Sequence, residues 1–298
     1  MAEISAQLVK QLREKTGAGM MECKKALVEA AGDMEKAIDH LRKQGLATAA
    51  KKATRSARQG MIGHIVTADC KLAVVAEVNC ESDFVARTDD FQSLVKEVLE
   101  LISTESPADV AALLALPSLA DTGVNLGQAI AAKIAKVGEN MGVARFQRLV
   151  AVPNGVLTAY IHPGSQLGVL VEMTTGKPET AASPVFKELL HDIAMQVAAA
   201  SPTFLSRADV TPEILAKEKE IYRARTLAEG KPEKVVDKIV EGRMSKFYEE
   251  VCLVDQPFIK ENSLAITQLL AQKGKELGDT VSVTRFVRFK VGETQSAE

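Results

Sequence analysis

The sequence has no tryptophan and only 4% aromatic residues, so a base-stacking or sugar-binding platform has few rings to build from. Its four cysteines, Cys23, Cys70, Cys80 and Cys252, form no C-x-x-C pair and have no histidine at ligand spacing. That excludes a zinc ribbon or a disulfide scaffold and reads as free thiols in a reducing compartment. No apolar run approaches the roughly 20 residues that span a bilayer. Met1 to Ser5 lacks a basic stretch followed by an apolar one, so no membrane association is expected and a cytoplasmic location is. A G-x-x-x-x-G-K-[ST] turn, a G-x-S-x-G elbow and an H-E-x-x-H pair are all missing. Direct nucleotide binding, metal binding and hydrolase chemistry therefore have no sequence support. His40, His64, His162 and His191 stand apart from one another, and Cys80 has no visible partner as a nucleophile. A formal net charge of −2 argues against a DNA-coating role.

Charge is nevertheless uneven. Residues 1–58 hold 12 Lys and Arg against 7 Asp and Glu, a net of +5, and the remainder carries −7. This basic head is helical by pattern, with apolar residues at i, i+3, i+4 spacing in three runs: Leu8, Val9 and Leu12; Met20, Met21, Ala26 and Leu27; Met34, Ala37, Ile38 and Leu41. Gly17 to Gly19 and Gly32-Asp33 break the runs, and Gly45 is placed to end the third. A three-helix bundle follows, with Gln44 to Gly60 as a solvated helical linker and a domain boundary at residue 55.

Beyond the boundary the period becomes that of strands, at Met61 to Ala68 and Leu72 to Asn79 around the turn Asp69-Cys70-Lys71. Two amphipathic helices come next, one through Phe91, Leu94, Val95, Val98, Leu99 and Ile102 and one from Leu126 to Val137. A similar order recurs from Val143, with strands at 143–152, 156–161 and 167–173 and a helix through Phe186, Leu190, Ile193 and Val197. The fold class is therefore α+β, with a core N-subdomain at 56–142 and a core C-subdomain at 143–298. Thr211-Pro212 starts a pair of long helices at about 212–251, joined at Gly230-Lys231-Pro232. The stripe Val235, Val236, Ile239, Val240, Met244, Phe247 and Val251 lets them zip as an antiparallel hairpin. A helix at 264–270, a closing strand at 280–289 and a disordered tail from Gly292 complete the reading.

The stretch Glu77 to Arg87 leaves a buried strand and enters a helix with Asp83 beside Phe84. Residue types leave two alternatives: Ser82 or Thr88 caps a helix and Phe84 folds inward, or the loop presents its side chains to a partner. This stretch and Leu12-Arg13-Glu14-Lys15-Thr16-Gly17-Ala18-Gly19-Met20-Met21-Glu22-Cys23-Lys24-Lys25-Ala26-Leu27 resemble the two signature stretches of the bacterial elongation factor Ts family. The resemblance continues through Lys136 to Asn140, His162, Gly168 to Val171, Gly230 to Pro232, Glu241 to Met244 and Arg285 to Gly292. It departs from the family in having Ser82 for the usual Thr and a longer segment at 103–127.

The resemblance implies a guanine-nucleotide exchange factor for elongation factor Tu, with a ubiquitin-associated-like head at 1–55, a two-part core with antiparallel sheets and an inserted coiled-coil hairpin. By the same resemblance Ser82, Asp83, Phe84 and Val85 bind the partner and disturb its Mg²⁺ and phosphate site. Arg13, Lys24, Val137, Gly138 and His162 make further partner contacts. No cofactor and no bond-making chemistry are implied. For Lys24 a solvated helix face, for Gly138 a helix cap and for His162 an exposed hairpin tip are equally open readings of the residues themselves. A basic scaffold that grips RNA or an acidic protein is the alternative function.

Overall fold

The chain begins with helices whose ends are written in its capping residues. The structure, a computed structural model, describes residues 4–121 and 123–296. The Ser5 hydroxyl accepts from Leu8 N and starts α1 (Ala6–Thr16), which Gly17 closes at a φ of 66°. Gly19 opens α2 (Met20–Glu29), and the Asp33 carboxylate, accepting from Lys36 N at 3.1 Å, opens α3 (Met34–Lys52). Val9, Leu12, Cys23, Ala26, Leu27 and Ala37 fill the space between them.

The first half of the body runs β1 (Gln59–Val66), β2 (Leu72–Cys80), α4 (Asp83–Ala86), α5 (Asp89–Glu105), α6 (Val110–Ala115), α7 (Leu126–Val137) and β3 (Met141–Val150). The strands form an antiparallel sheet in the order β1-β2-β3. Phe91, Leu94, Val98 and Ile102 of α5 and Ile130 and Ile134 of α7 bury one face of that sheet. The central strand β2 is covered on both sides, as its continuous apolar run requires.

Two expectations are corrected here. Gly45 does not end the third helix, because α3 continues to Lys52 with Gly45 buried inside it. A Cβ at Gly45 would stand 3.8 Å from both Ala131 O and the Ala135 Cβ of α7. From Gln44 to Lys52 the expected linker is a helix with one face against α7, and most of its other side chains are exposed. Its small residues give no apolar volume to read in a sequence, yet they permit close backbone approach between α3 and α7. The second correction concerns β3, which the sequence pattern groups with the strands of the second half. It pairs with β2 and completes the first sheet.

The second half runs β4 (Gly155–Ile161), β5 (Leu167–Thr175), α8 (Pro184–Ala200), α9 (Pro212–Ala228), α10 (Glu233–Val251), β6 (Pro257–Phe258), β7 (Glu261–Ala265), α11 (Ile266–Leu277) and β8 (Val281–Lys290). Its main sheet is antiparallel in the order β4-β5-β8, and β6 and β7 form a small hairpin that the sequence pattern did not signal. The fold is thus mixed α+β with antiparallel sheets and eleven α-helices among the described residues.

The halves repeat one another in detail. The register breaks between Glu77 and Val78 in β2 and between Glu172 and Met173 in β5. At each bulge a fully buried glutamate meets an arginine from the last strand of its own half, Arg145 Nε to Glu77 Oε2 at 2.8 Å and Arg285 Nε to Glu172 Oε2 at 2.5 Å. Each arginine then crosses to the other half, Arg145 donating to Lys290 O at 3.1 Å and Arg285 to Val150 O at 2.6 Å. Glu77 also accepts from Gly292 N and Glu172 from Val152 N, at 2.7 and 2.6 Å. Between the sheets lie Ile62, Ala73, Val75 and Leu149 from the first and Leu157, Leu170 and Phe289 from the second. The reciprocal pattern is a pseudo-twofold contact within one chain.

α9 and α10 form an antiparallel pair joined through Gly230, at a φ of 73°. Val236, Val240, Met244 and Phe247 of α10 pack with Ile214, Leu215 and Tyr222 of α9, whereas Val235 faces outward. Arg243 to Glu229 at 2.7 Å and Arg223 to Asp237 link the outer faces. The expected disordered tail from Gly292 is ordered in part: Glu293–Ser296 make a 3-10 turn, and the Glu293 carboxylate meets Arg145 and Arg288 at 3.3 and 3.2 Å. Residues 297–298 lie outside the described residues. No helix among the described residues is long and apolar enough to cross a membrane.

Candidate partner-binding site

The stretch that leaves β2 is held between two caps only six residues apart. Ser82 accepts from Val85 N and opens α4, and Thr88 accepts from Phe91 N at 3.3 Å and opens α5. A helix of four residues has almost no stability of its own, so these anchors set which side chains face in. Val85 turns inward and packs on the first core, while Phe84 is 79% exposed. The inward-folded alternative for Phe84 is thereby excluded, and Val85, grouped with it in the sequence, belongs to the core surface. Beside the ring, Asp83 is exposed and pairs with Arg87 at 2.8 Å.

Three further groups hold the turn from below. Glu139 accepts from Ser82 N at 2.9 Å and from the Ser82 hydroxyl at 2.6 Å. Glu81 accepts from Asn140 N at 2.6 Å, so each segment gives a backbone N–H to the other's glutamate. The Cys80 thiol donates to Ser82 O at 3.1 Å. Burial, with the Glu139 charge beside it, pushes that thiol up to about 12. Such a thiol stays protonated at neutral pH, which removes it as a nucleophile.

The remaining sequence-predicted residues fall around this turn in unequal ways. Val137 is half-buried at the end of α7. Gly138 comes next at a φ of 88°, capping the helix and turning the chain toward Glu139, and its carbonyl accepts from Lys52 Nζ. Asn140 Nδ2 reaches Arg55 O at 2.8 Å, tying the end of the head to the same turn. Arg13 and Lys24 are exposed on α1 and α2. The glycine turn between those helices lies against the Lys136 side chain, which pairs with Asp90 at 2.7 Å. Met20 and Met21 are exposed beside Lys24. His162 is exposed at the β4–β5 turn, hydrogen-bonded to the Tyr160 hydroxyl at 3.1 Å. That turn touches the start of β1 through Gln166 Nε2 to Gly60 O at 2.8 Å, and Gly60 is the register partner of Asn79 near the end of β2. Glu139 and Glu81 carried no local signal of their role, since their partners lie 57 and 59 residues away.

Burying a phenylalanine side chain is worth about 1.5–3 kcal/mol, and here that free energy is left for another surface to supply. The described residues thus define an α+β chain with antiparallel sheets that holds one exposed aromatic ring and one acid on a clamped turn. Its particular identity comes from its relatives. Residues 81–293 match the family described as Elongation factor TS. The chain is 48% identical over 290 residues to the elongation factor Ts of Clostridium novyi (strain NT), covering 97% of this chain and 93% of that one. It is 49% identical over 290 residues to that of Clostridium perfringens (strain SM101 / Type A), with the same coverage. With that of Nitratidesulfovibrio vulgaris (strain DP4) it shares 43% over 295 residues, 99% of this chain and 98% of the relative. The chain belongs to the elongation factor Ts family.

Proposed function

We infer that this chain is the guanine-nucleotide exchange factor for elongation factor Tu, and that Asp83 and Phe84 are its working wedge. The observation that carries the wedge is the exposed Phe84 ring on a turn too short to stand without its anchors. Inserted into the GTPase, the ring gains burial that it lacks in the free factor. The partner's Mg²⁺ needs a near-ideal octahedron and bridges phosphate charge, so displacing the loop that supports it by about 1 Å weakens ion and nucleotide together. GDP leaves, and GTP expels the factor, because coupling between two ligands is reciprocal. The step makes and breaks no covalent bond, and the factor itself binds no nucleotide.

The basic head, read as a ubiquitin-associated-like bundle, adds contacts through Arg13, Lys24 and the exposed methionines. Val137, Gly138 and His162 would meet the partner along the core. The α9–α10 pair is read as the family's coiled-coil arm. Work in translation elongation supports a cytoplasmic location.

Release of a fluorescent GDP analogue from elongation factor Tu tests the reading. The intact protein in catalytic amounts accelerates release. Phe84→Ala slows that release about ten- to a hundredfold, since each 1.4 kcal/mol lost is tenfold in rate. Equal acceleration by both proteins would remove the wedge, and no acceleration by either would favour the scaffold alternative.

A further inference from the structure

The wedge residues do not hold themselves. Ser82, which starts their helix, has every polar atom committed to the body: its N–H and hydroxyl to Glu139, at 2.9 and 2.6 Å, and its carbonyl to the Cys80 thiol at 3.1 Å. Its own capping contact to Val85 N is long, 3.4 Å. The charge-assisted pair to Glu139 is therefore the strongest tie on the segment. The second half has a related tie at the equivalent place, with its two donors on two residues rather than one. There Asp279 accepts from Lys177 N at 2.9 Å and from the Thr180 hydroxyl at 2.6 Å. Pro178 and Glu179 stand where Asp83 and Phe84 stand in the first half. One clamp thus orients an exposed ring and the other orients none.

We propose that Glu139 is a positioning residue of the exchange reaction, fixing the angle at which Phe84 leaves the surface by holding both donors of Ser82. The proposal rests on Phe84 being the wedge. With glutamine at 139 the charge assistance is lost, only one amide oxygen remains to accept from Ser82 N–H, and the Ser82 hydroxyl must turn to accept from the amide N–H₂, so the tie on the first turn of α4 weakens while the core beneath it stays packed. Asn140, whose N–H is held by Glu81 and whose side chain holds Arg55 O, keeps the opposing segment in place.

Glu139→Gln is expected to lower the maximal rate of GDP-analogue release at saturating factor by about tenfold or more. The factor concentration for half-maximal release should change less. Hydrogen exchange of the amides from Ser82 to Ala86 should accelerate, with the rest of the chain unchanged. Ser82→Ala removes the hydroxyl half of that tie together with the cap on Val85 N, and leaves the backbone N–H on Glu139. The loss in the double variant should fall short of the product of the two single losses, because the two share the Ser82 hydroxyl contact to Glu139. Asp279→Asn, which loosens the matching clamp of the other half, should leave exchange at the parent rate. Parent-rate exchange by Glu139→Gln and Ser82→Ala, with Phe84→Ala slow, would overturn the positioning role and leave the wedge standing. An equal loss in Asp279→Asn would overturn it too, since the clamp would then serve only the scaffold. Parent-rate exchange by Phe84→Ala would remove the wedge, and the proposal with it.

Discussion

The two halves of this protein share a sheet order, a bulge with a buried glutamate, and a buried phenylalanine facing the sheet from α5 or α8. Their last helices both end on a glycine in the left-handed region, Gly138 and Gly278, and both open with a glutamine, Gln128 or Gln268, bonded back to the N–H of the residue before the helix at 3.0 Å. They differ in what hangs on that scaffold. The first half exposes Phe84 at the turn after its central strand. The second exposes no large apolar side chain there, and between α8 and α11 it carries the α9–α10 pair, where the first half has only the short α6. Repetition lies in the groups that hold the sheets together, and difference lies in the loops, where a substitution costs little packing.

The largest expected effect sets the rings apart. Phe91→Ala and Phe186→Ala should each cost about 3–5 kcal/mol of unfolding free energy, as fully buried aromatics do. Phe84→Ala should stay within about 0.5 kcal/mol, as an exposed position does. Denaturant titration measures all three, and a comparable loss for Phe84→Ala would mean that its ring packs in the free protein. Next come the paired glutamates. Glu77→Ala and Glu172→Ala each remove the buried carboxylate that pairs Arg145 or Arg285 at its bulge, and each should cost about 3 kcal/mol. Their thermal shifts should match, and a clear inequality would break the equivalence of the two bulges.

The smallest effect concerns one buried thiol in each half. Burial pushes Cys80 up to about 12 and Cys252 up to about 11, from an ordinary value of 9.0. Both stay protonated in the folded chain above pH 9, while the unfolded chain binds fewer protons. The stability they contribute is present below about pH 9 and declines as pH rises toward 11 and 12. Iodoacetamide at pH 8 should leave both unmodified until denaturant is added, as read by peptide mass. Rapid native labelling of Cys80 would show that the turn at Ser82 opens.

Much of this architecture was legible locally. Asp33, Thr88 and Thr211 each cap the helix next to them, because a side-chain oxygen near an unpaired N–H acts within three residues. The apolar run of β2 announced a strand buried on both faces. Legibility ended where the signal was the absence of bulk. Gly45 resembles a stop in isolation, and its use as a close-approach site exists only because Ala131 and Ala135 face it. The β6–β7 hairpin gave no signal because Pro257-Phe258 is too short to show a period.

Local sequence was enough for most of the elements, for the family, and for the presence of an acid and a ring at a strand-to-helix junction. It took the folded chain to establish that β3 joins β2 and β8 joins β5, that Phe84 faces out while Val85 faces in, and that Glu139 meets Ser82. The physical reason is range. Caps and periodicity act between neighbours along the chain, whereas strand pairing and the clamp join residues dozens of positions apart, chosen by the sum of contacts that the completed core makes available.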